Sequence, residues 1–168
     1  GGEAGEAESA YLGIFKTSAL TRVGGYDEAI IRGEDWDLAQ RIKKTGGLVW
    51  FSPELRVTYW PRGRFLNLVK QFYSTGIWRG DLTRRDVRGA STRYFAPPVL
   101  VLGLLAGLAV LVFGNLIGVL PWAAYSAAIL ALAVSATGLS LKSRIALMIV
   151  LPTMHLSWGV GFIKGAIV

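Results

Sequence analysis

From Tyr94 to Val168 the chain carries only three charged side chains, Lys142, Arg144 and Lys164. All 11 acidic residues and 15 of the 18 Lys and Arg come before Tyr94, so the 52% hydrophobic content averages two different materials. Residues 95–114, "FAPPVLVLGLLAGLAVLVFG", form an uncharged apolar run. At about 1.5 Å per residue, some 20 residues suffice to cross a hydrocarbon core. A second run, 120–141, has Trp122 and Tyr125 near one end as interfacial anchors. A third, 145–163, is interrupted by Pro152 and holds His155, the one histidine of the chain. The link Asn115–Val119 is short and uncharged, which predicts a tight hairpin between the first two helices. The second part of this chain is therefore expected to be a membrane region.

Orientation follows from the basic residues. Arg84, Arg85, Arg88 and Arg93 precede the first run, and Lys142 and Arg144 lie between the second and third. The bias of Lys and Arg toward the inner face then predicts residues 1–93 in the cytoplasm, with the C-terminal end outside if the third segment spans. Lys164 opposes that assignment, and a third segment that re-enters is the alternative. Pro97 and Pro98 stand where a helix start tolerates missing N–H groups. Gly103 and Gly107 form a small-xxx-small face suited to close helix packing, including a dimer face. His155 is either an intramembrane functional group or hydrogen-bonded to a neighbouring helix or headgroup.

A length of 168 residues suits one domain, but the charge distribution divides this one. The absence of Cys excludes disulfides and thiolate metal sites and fits a reducing compartment. The opening "GGEAGEAESA" lacks the basic and apolar regions of a signal peptide, and the chain is expected to be a fragment that begins elsewhere. The net charge of +7 raises nucleic acid as a partner. Basic and aromatic interleaving beside an apolar span favours lipid instead.

In the polar part, Tyr11–Phe15 is expected as a buried strand and Thr17–Val23 as a helical turn closed by Gly24 and Gly25. A helix follows "GED": Trp36, Leu38, Ala39 and Ile42 supply its apolar stripe, and Asp37 and Arg41 pair four residues apart. Asp35 falls at the expected N-cap, where a carboxylate binding the first-turn amides contributes about 1 kcal/mol. Glu34 and Asp35 are adjacent, so their side chains diverge. "LVWFSPELRVTYW" reads as two short strands around a Ser52-Pro53 turn. Phe65, Leu68, Val69, Phe72 and Tyr73 then recur at helical spacing among Arg64, Lys70 and Arg79. That is the pattern of a basic amphipathic helix pressed on anionic headgroups.

Four blocks in this order carry a resemblance: "AYLGIFKTSALTRVGGYDE", "GEDWDLAQRIKKTGGLVWFSPELRVTYWPR", "QFYSTGIWRG" and "HLSWGVGFIKG". Together they resemble the C-terminal part of membrane-bound family-2 glycosyltransferases with the GT-A fold, most nearly the succinoglycan-type exopolysaccharide group. The resemblance implies that Asp35, the second acid of the pair, is the general base. It would take the proton of an acceptor sugar hydroxyl as that oxygen attacks a nucleotide-sugar with inversion, and Glu34 would lie at the substrate. A cap role and a base role are compatible, because a carboxylate has two oxygens. The family's QxxRW motif, which helps hold acceptor and donor diphosphate, has a looser counterpart in Gln71, Trp78 and Arg79, with a longer interval and the order Trp-Arg. The interfacial reading of Trp78 and Arg79 stays open beside it.

The expected fold is thus an α/β fragment, the C-terminal part of a GT-A-like domain, followed by an α-helical membrane region of about three hydrophobic segments. Residues 1–62 would be the acceptor-side part, 63–93 the basic interfacial segment and 94–168 the transmembrane region. The resemblance also implies a nucleotide-sugar donor, a polyprenyl-linked or polysaccharide acceptor, a plasma-membrane location and a divalent cation, Mg or Mn. The cation's ligands are expected outside this chain, in a donor-binding half without which it would be inactive alone. Two other readings are a non-catalytic membrane anchor or accessory subunit, and a basic membrane protein that binds an acidic polymer.

Overall fold

The computed structural model describes residues 2–9, 13–30, 33–58, 63–87 and 90–168. They form two compact units, Gly1–Pro61 and Arg62–Val168. The described residues are mostly helical, with three apolar helices long enough for a membrane and one two-stranded sheet.

In the first unit, α1 spans Thr17–Val23 and ends where expected, at Gly24 (φ 77) and Gly25 (φ 76). The amide of Gly25 donates to the carbonyl of Leu20 at 2.9 Å, closing the last turn through a left-handed backbone that glycine adopts without strain. The longer α2, Glu34–Lys44, buries Trp36, Leu38, Ala39 and Ile42. Its acids crowd the first turn and its bases the last, both favourable to the helix dipole. The sheet is smaller than expected. Strand β1, Gly5–Glu6, pairs antiparallel with β2, Trp50–Phe51, with Gly5 opposite Phe51 and Glu6 opposite Trp50. Residues 13–16 and 52–58 form no strand: the chain turns at Ser52, whose carbonyl accepts from the amide of Leu55 at 3.2 Å. Tyr11 and Leu12 of the first expected strand, and Tyr59 and Trp60 of the last, lie outside the described residues, as does Arg88.

The second unit comprises α3 (Phe65–Arg85), α4 (Ala96–Val112), α5 (Leu120–Ser135) and α6 (Leu141–Ile167). Short 3-10 turns, Thr92–Phe95 and Leu116–Val119, lead into α4 and α5. With those turns the candidate spans are Thr92–Val112, Leu116–Ser135 and Leu141–Ile167. Pro97 and Pro98 open α4 as expected, whereas Pro152 sits inside α6 without ending it.

Residues 63–87 belong to the same compact unit as the apolar helices. The helix α3 packs along α6 through glycine, and a Cβ at Gly76 would meet the Trp158 carbonyl and the Phe162 amide. One at Gly80 would meet the Phe162 carbonyl, and Gly161 and Gly165 abut the carbonyls of Tyr73 and Ile77. The pattern was hidden because each glycine pair is explained only by a partner some 85 residues away in sequence. The expected Gly103/Gly107 face is also divided. Gly107 packs against Gly118 and Pro121 of its own hairpin, while Gly103 has open space around it.

Candidate functional site

The acidic pair opens α2, but not as a cap. Gly33, with φ 80, is the N-cap, and no side chain caps the helix. Asp35 is the second helical residue, two positions inside the expected N-cap, because the left-handed turn at Gly33 starts the helix earlier. Helical spacing then separates the three acids of the first turn. Asp35 heads the row i, i+3, i+4, i+7 that continues through Leu38, Ala39 and Ile42, which are 0%, 0% and 4% exposed. Glu34 and Asp37 lie on other sides of the helix.

The neighbours of Asp35 are engaged. The Asp37 carboxylate accepts from Arg41 Nε at 2.7 Å, and Arg41 also donates to the carbonyls of Val23 and Gly25 at 2.7 and 2.8 Å. Trp36 Nε1 donates to Glu8 Oε1 at 2.9 Å. These bonds fix the start of α2 against the end of α1 and the N-terminal segment. Glu34 and Asp35 are half-buried and make no hydrogen bond or ion pair with another described residue. The result is a positioned carboxylate with unoccupied oxygens, the arrangement a proton acceptor needs. A cleft of about 830 Å3 in the same unit, which Lys16, Arg22, Trp50 and Phe51 help to line, includes neither acid.

In the second unit, Gln71 and Trp78 are seven residues apart on α3 and share one stripe, opposite the seam of Gly76 and Gly80. Arg79 is on the flank, its guanidinium 4.3 Å from the centroid of the Tyr94 ring. Arg93 approaches the same ring at 5.4 Å, and Trp158 meets it edge-on at 6.3 Å. Tyr94 and Trp158 were not singled out by the sequence; only the packing of α6 beside the first turn of α4 brings them to Arg79. Gln71, Trp78 and Arg79 thus share one helix, but Arg79 alone joins this aromatic cluster. His155 Nδ1 and Tyr125 Oη are 3.0 Å apart, so the histidine is bonded to a neighbouring helix.

No group of three or more His, Asp or Glu able to hold a metal lies among the described residues.

Over most of its length the chain resembles a protein of succinoglycan biosynthesis. Its similarity is to the succinoglycan biosynthesis protein ExoA of Rhizobium meliloti (strain 1021), 28% identical over 157 residues, which are 93% of this chain and 47% of that protein. The chain spans about half the length of this relative. No family model matches it, and no solved structure matches it.

Proposed function

We propose that this chain is the acceptor-side and membrane part of a glycosyltransferase of exopolysaccharide synthesis. The whole enzyme would move a sugar from a nucleotide-sugar to a polyprenyl-linked or polysaccharide acceptor at the cytoplasmic face of the plasma membrane. Asp35 is the general base. Its carboxylate takes the proton of the acceptor hydroxyl as that oxygen forms a bond to the anomeric carbon; the bond to the nucleoside diphosphate breaks with its electron pair, and the anomeric configuration inverts. The observation that carries this reading is the place of Asp35 at the head of the buried row of α2, half-buried and unpaired among the described residues. A cap would spend that carboxylate on the backbone, and a surface acid would lie opposite the row.

Gln71, Trp78 and Arg79 bind the sugar-diphosphate: the indole stacks on a sugar and the guanidinium pairs with phosphate. Glu34 contacts the acceptor. Three apolar helices would anchor the chain in the bilayer that carries such an acceptor. A divalent cation acts in the whole enzyme through ligands beyond the described residues.

The test uses the full-length protein in membranes, with Asp35→Asn beside the unmutated form. Incorporation of labelled sugar into the lipid fraction is followed across a panel of nucleotide-sugars, and donor binding is measured separately. The expected outcome is a loss of transfer of about 100-fold or more with donor binding intact. Transfer that survives the substitution refutes the base. Absence of transfer by the unmutated protein with every donor replaces this reading with that of an accessory subunit.

A further inference from the structure

Charge alone gives α6 a direction. Lys142 and Arg144 at its start would hold that end in the cytoplasm and send the other end out. The packing gives the opposite answer for the far end. Along α6, Trp158 meets the Tyr94 ring at 6.3 Å, Gly159 lies against Pro97 and Val101, and Phe162 meets Phe95 at 5.7 Å. Later residues of α6 match earlier residues of the α4 region, so the two helices run antiparallel. The end of α6 passes the start of α4. The same stretch of α6 also packs on α3, with Gly161 on Tyr73 and Gly165 on Ile77; the two helices run parallel, and α3 continues to Asp81, Arg84 and Arg85. A hydrocarbon core is about 30 Å thick, so residues in van der Waals contact lie at the same depth in it.

We propose that the end of α6 lies on the face of the membrane where α3 ends and α4 starts, so that residues 92–168 enter and leave by the same face. The inference rests on helix packing and not on the chemistry proposed for Asp35.

Two observations weaken the conflict with the charges, leaving Lys142 alone against this placement. The guanidinium of Arg144 donates to the carbonyls of Val134 and Leu139 at 2.7 and 3.4 Å. Its charge is taken up by the C-terminal end of α5, where a cation is favoured, and so does not report which face it is on. Lys164, which opposed the charge-based orientation, instead joins a consistent set. Its ammonium lies 5.9 Å from the Tyr73 ring centroid, while Arg79 and Arg93 stand over Tyr94 at 4.3 and 5.4 Å. Lys164 and Arg93 then stand where α6 ends and α4 begins, the placement that anionic headgroups favour.

The chain has no cysteine, so a single introduced thiol is an unambiguous marker. Thr92→Cys marks the start of α4, and Ile167→Cys and Val168→Cys, at side chains 77% and 84% exposed, mark the end of α6. Each variant of the full-length protein, with any cysteine outside residues 1–168 replaced, is treated with a membrane-impermeant maleimide. Sealed cells and inverted vesicles are compared, and detergent-solubilised protein gives the total reactive thiol. The expected result is labelling of the residue 167 and 168 thiols from the same side as the residue 92 thiol, at least 5-fold above the other side. Labelling from the opposite side overturns the proposal. If neither terminal thiol reacts, a protease-cleavable tag at the C-terminus decides: cleavage from the Thr92 side supports it, and cleavage only from the other side overturns it.

Discussion

Gly161 on α6 lies so close to Tyr73 on α3 that a single methyl group at residue 161 would overlap the Tyr73 carbonyl. The two backbones touch over Gly76, Gly80, Gly161 and Gly165, and a carbonyl cannot yield as a flexible side chain can. Overpacking of this kind typically costs about 1–3 kcal/mol. Gly161→Ala and Gly165→Ala are therefore expected to lower the thermal midpoint of the detergent-solubilised protein by several degrees. Gly103→Ala, which enters open space, is expected to leave it unchanged or raise it slightly. Equal midpoints for all three would mean that α3 does not rest on α6 in this way.

The bond between Tyr125 and His155 predicts non-additivity. Tyr125→Phe deletes one partner and leaves the His155 nitrogen unbonded, a loss of about 1 kcal/mol, toward the upper end of such bonds measured between membrane helices. Tyr125→Phe with His155→Leu removes both polar groups from an apolar setting. The double variant is expected to be at least as stable as Tyr125→Phe alone, measured by thermal unfolding of all four proteins. Two strictly additive losses would show that the groups do not interact.

How much of this was legible depends on how far the information travels along the chain. The stripe Trp36, Leu38, Ala39 and Ile42, the Asp37–Arg41 pair and the glycine stop after Val23 are local patterns, and each appears in its place. The apolar spans were legible for the same reason, although their ends moved by a few residues. The start of α2 was misplaced by two positions because an N-cap glycine at φ 80 does not announce itself as Asp does. The expected strands near residues 13–15 and 52–58 failed because aromatic and β-branched content expresses half-burial as much as pairing. Asp35 was named from motif resemblance, and its place on the buried row then followed from helix geometry. The cluster of Arg79, Arg93, Tyr94 and Trp158 was beyond reach, since it needs the register of α6 on α3 and α4.

Arg41 ties α2 to the turn after α1 through Asp37 and the carbonyls of Val23 and Gly25. The two bonds to backbone carbonyls come from a charged donor and contribute at most about 1.5–3 kcal/mol each, less here because Arg41 is 28% exposed. Arg41→Ala is expected to loosen residues 24–30 and to speed their cleavage by a protease added to membranes at least 3-fold. Arg41→Lys should fall between, since an ammonium does not reproduce the guanidinium fork. An unchanged cleavage rate in Arg41→Ala would show that packing, not this side chain, holds the turn.

The three acids at the start of α2 make the sharpest test, because composition treats them alike and geometry does not. Asp37 is committed to Arg41, an i,i+4 pair that supports the helix by a few tenths of a kcal/mol, so Asp37→Asn is expected to reduce sugar transfer by less than about 3-fold. Glu34, at a different angle on the helix, can shift acceptor affinity without taking the proton; Glu34→Gln is expected to raise KM with kcat changed by less than about 10-fold. Asp35→Asn keeps the size and polarity of the side chain and removes only its ability to accept the proton, so it is expected to lower kcat by about 100-fold or more with KM little changed. Kinetics of the three full-length variants on one donor separate the roles. If the large loss in kcat falls on Asp37 or Glu34 instead, the buried row does not mark the base, and the assignment of Asp35 fails with it.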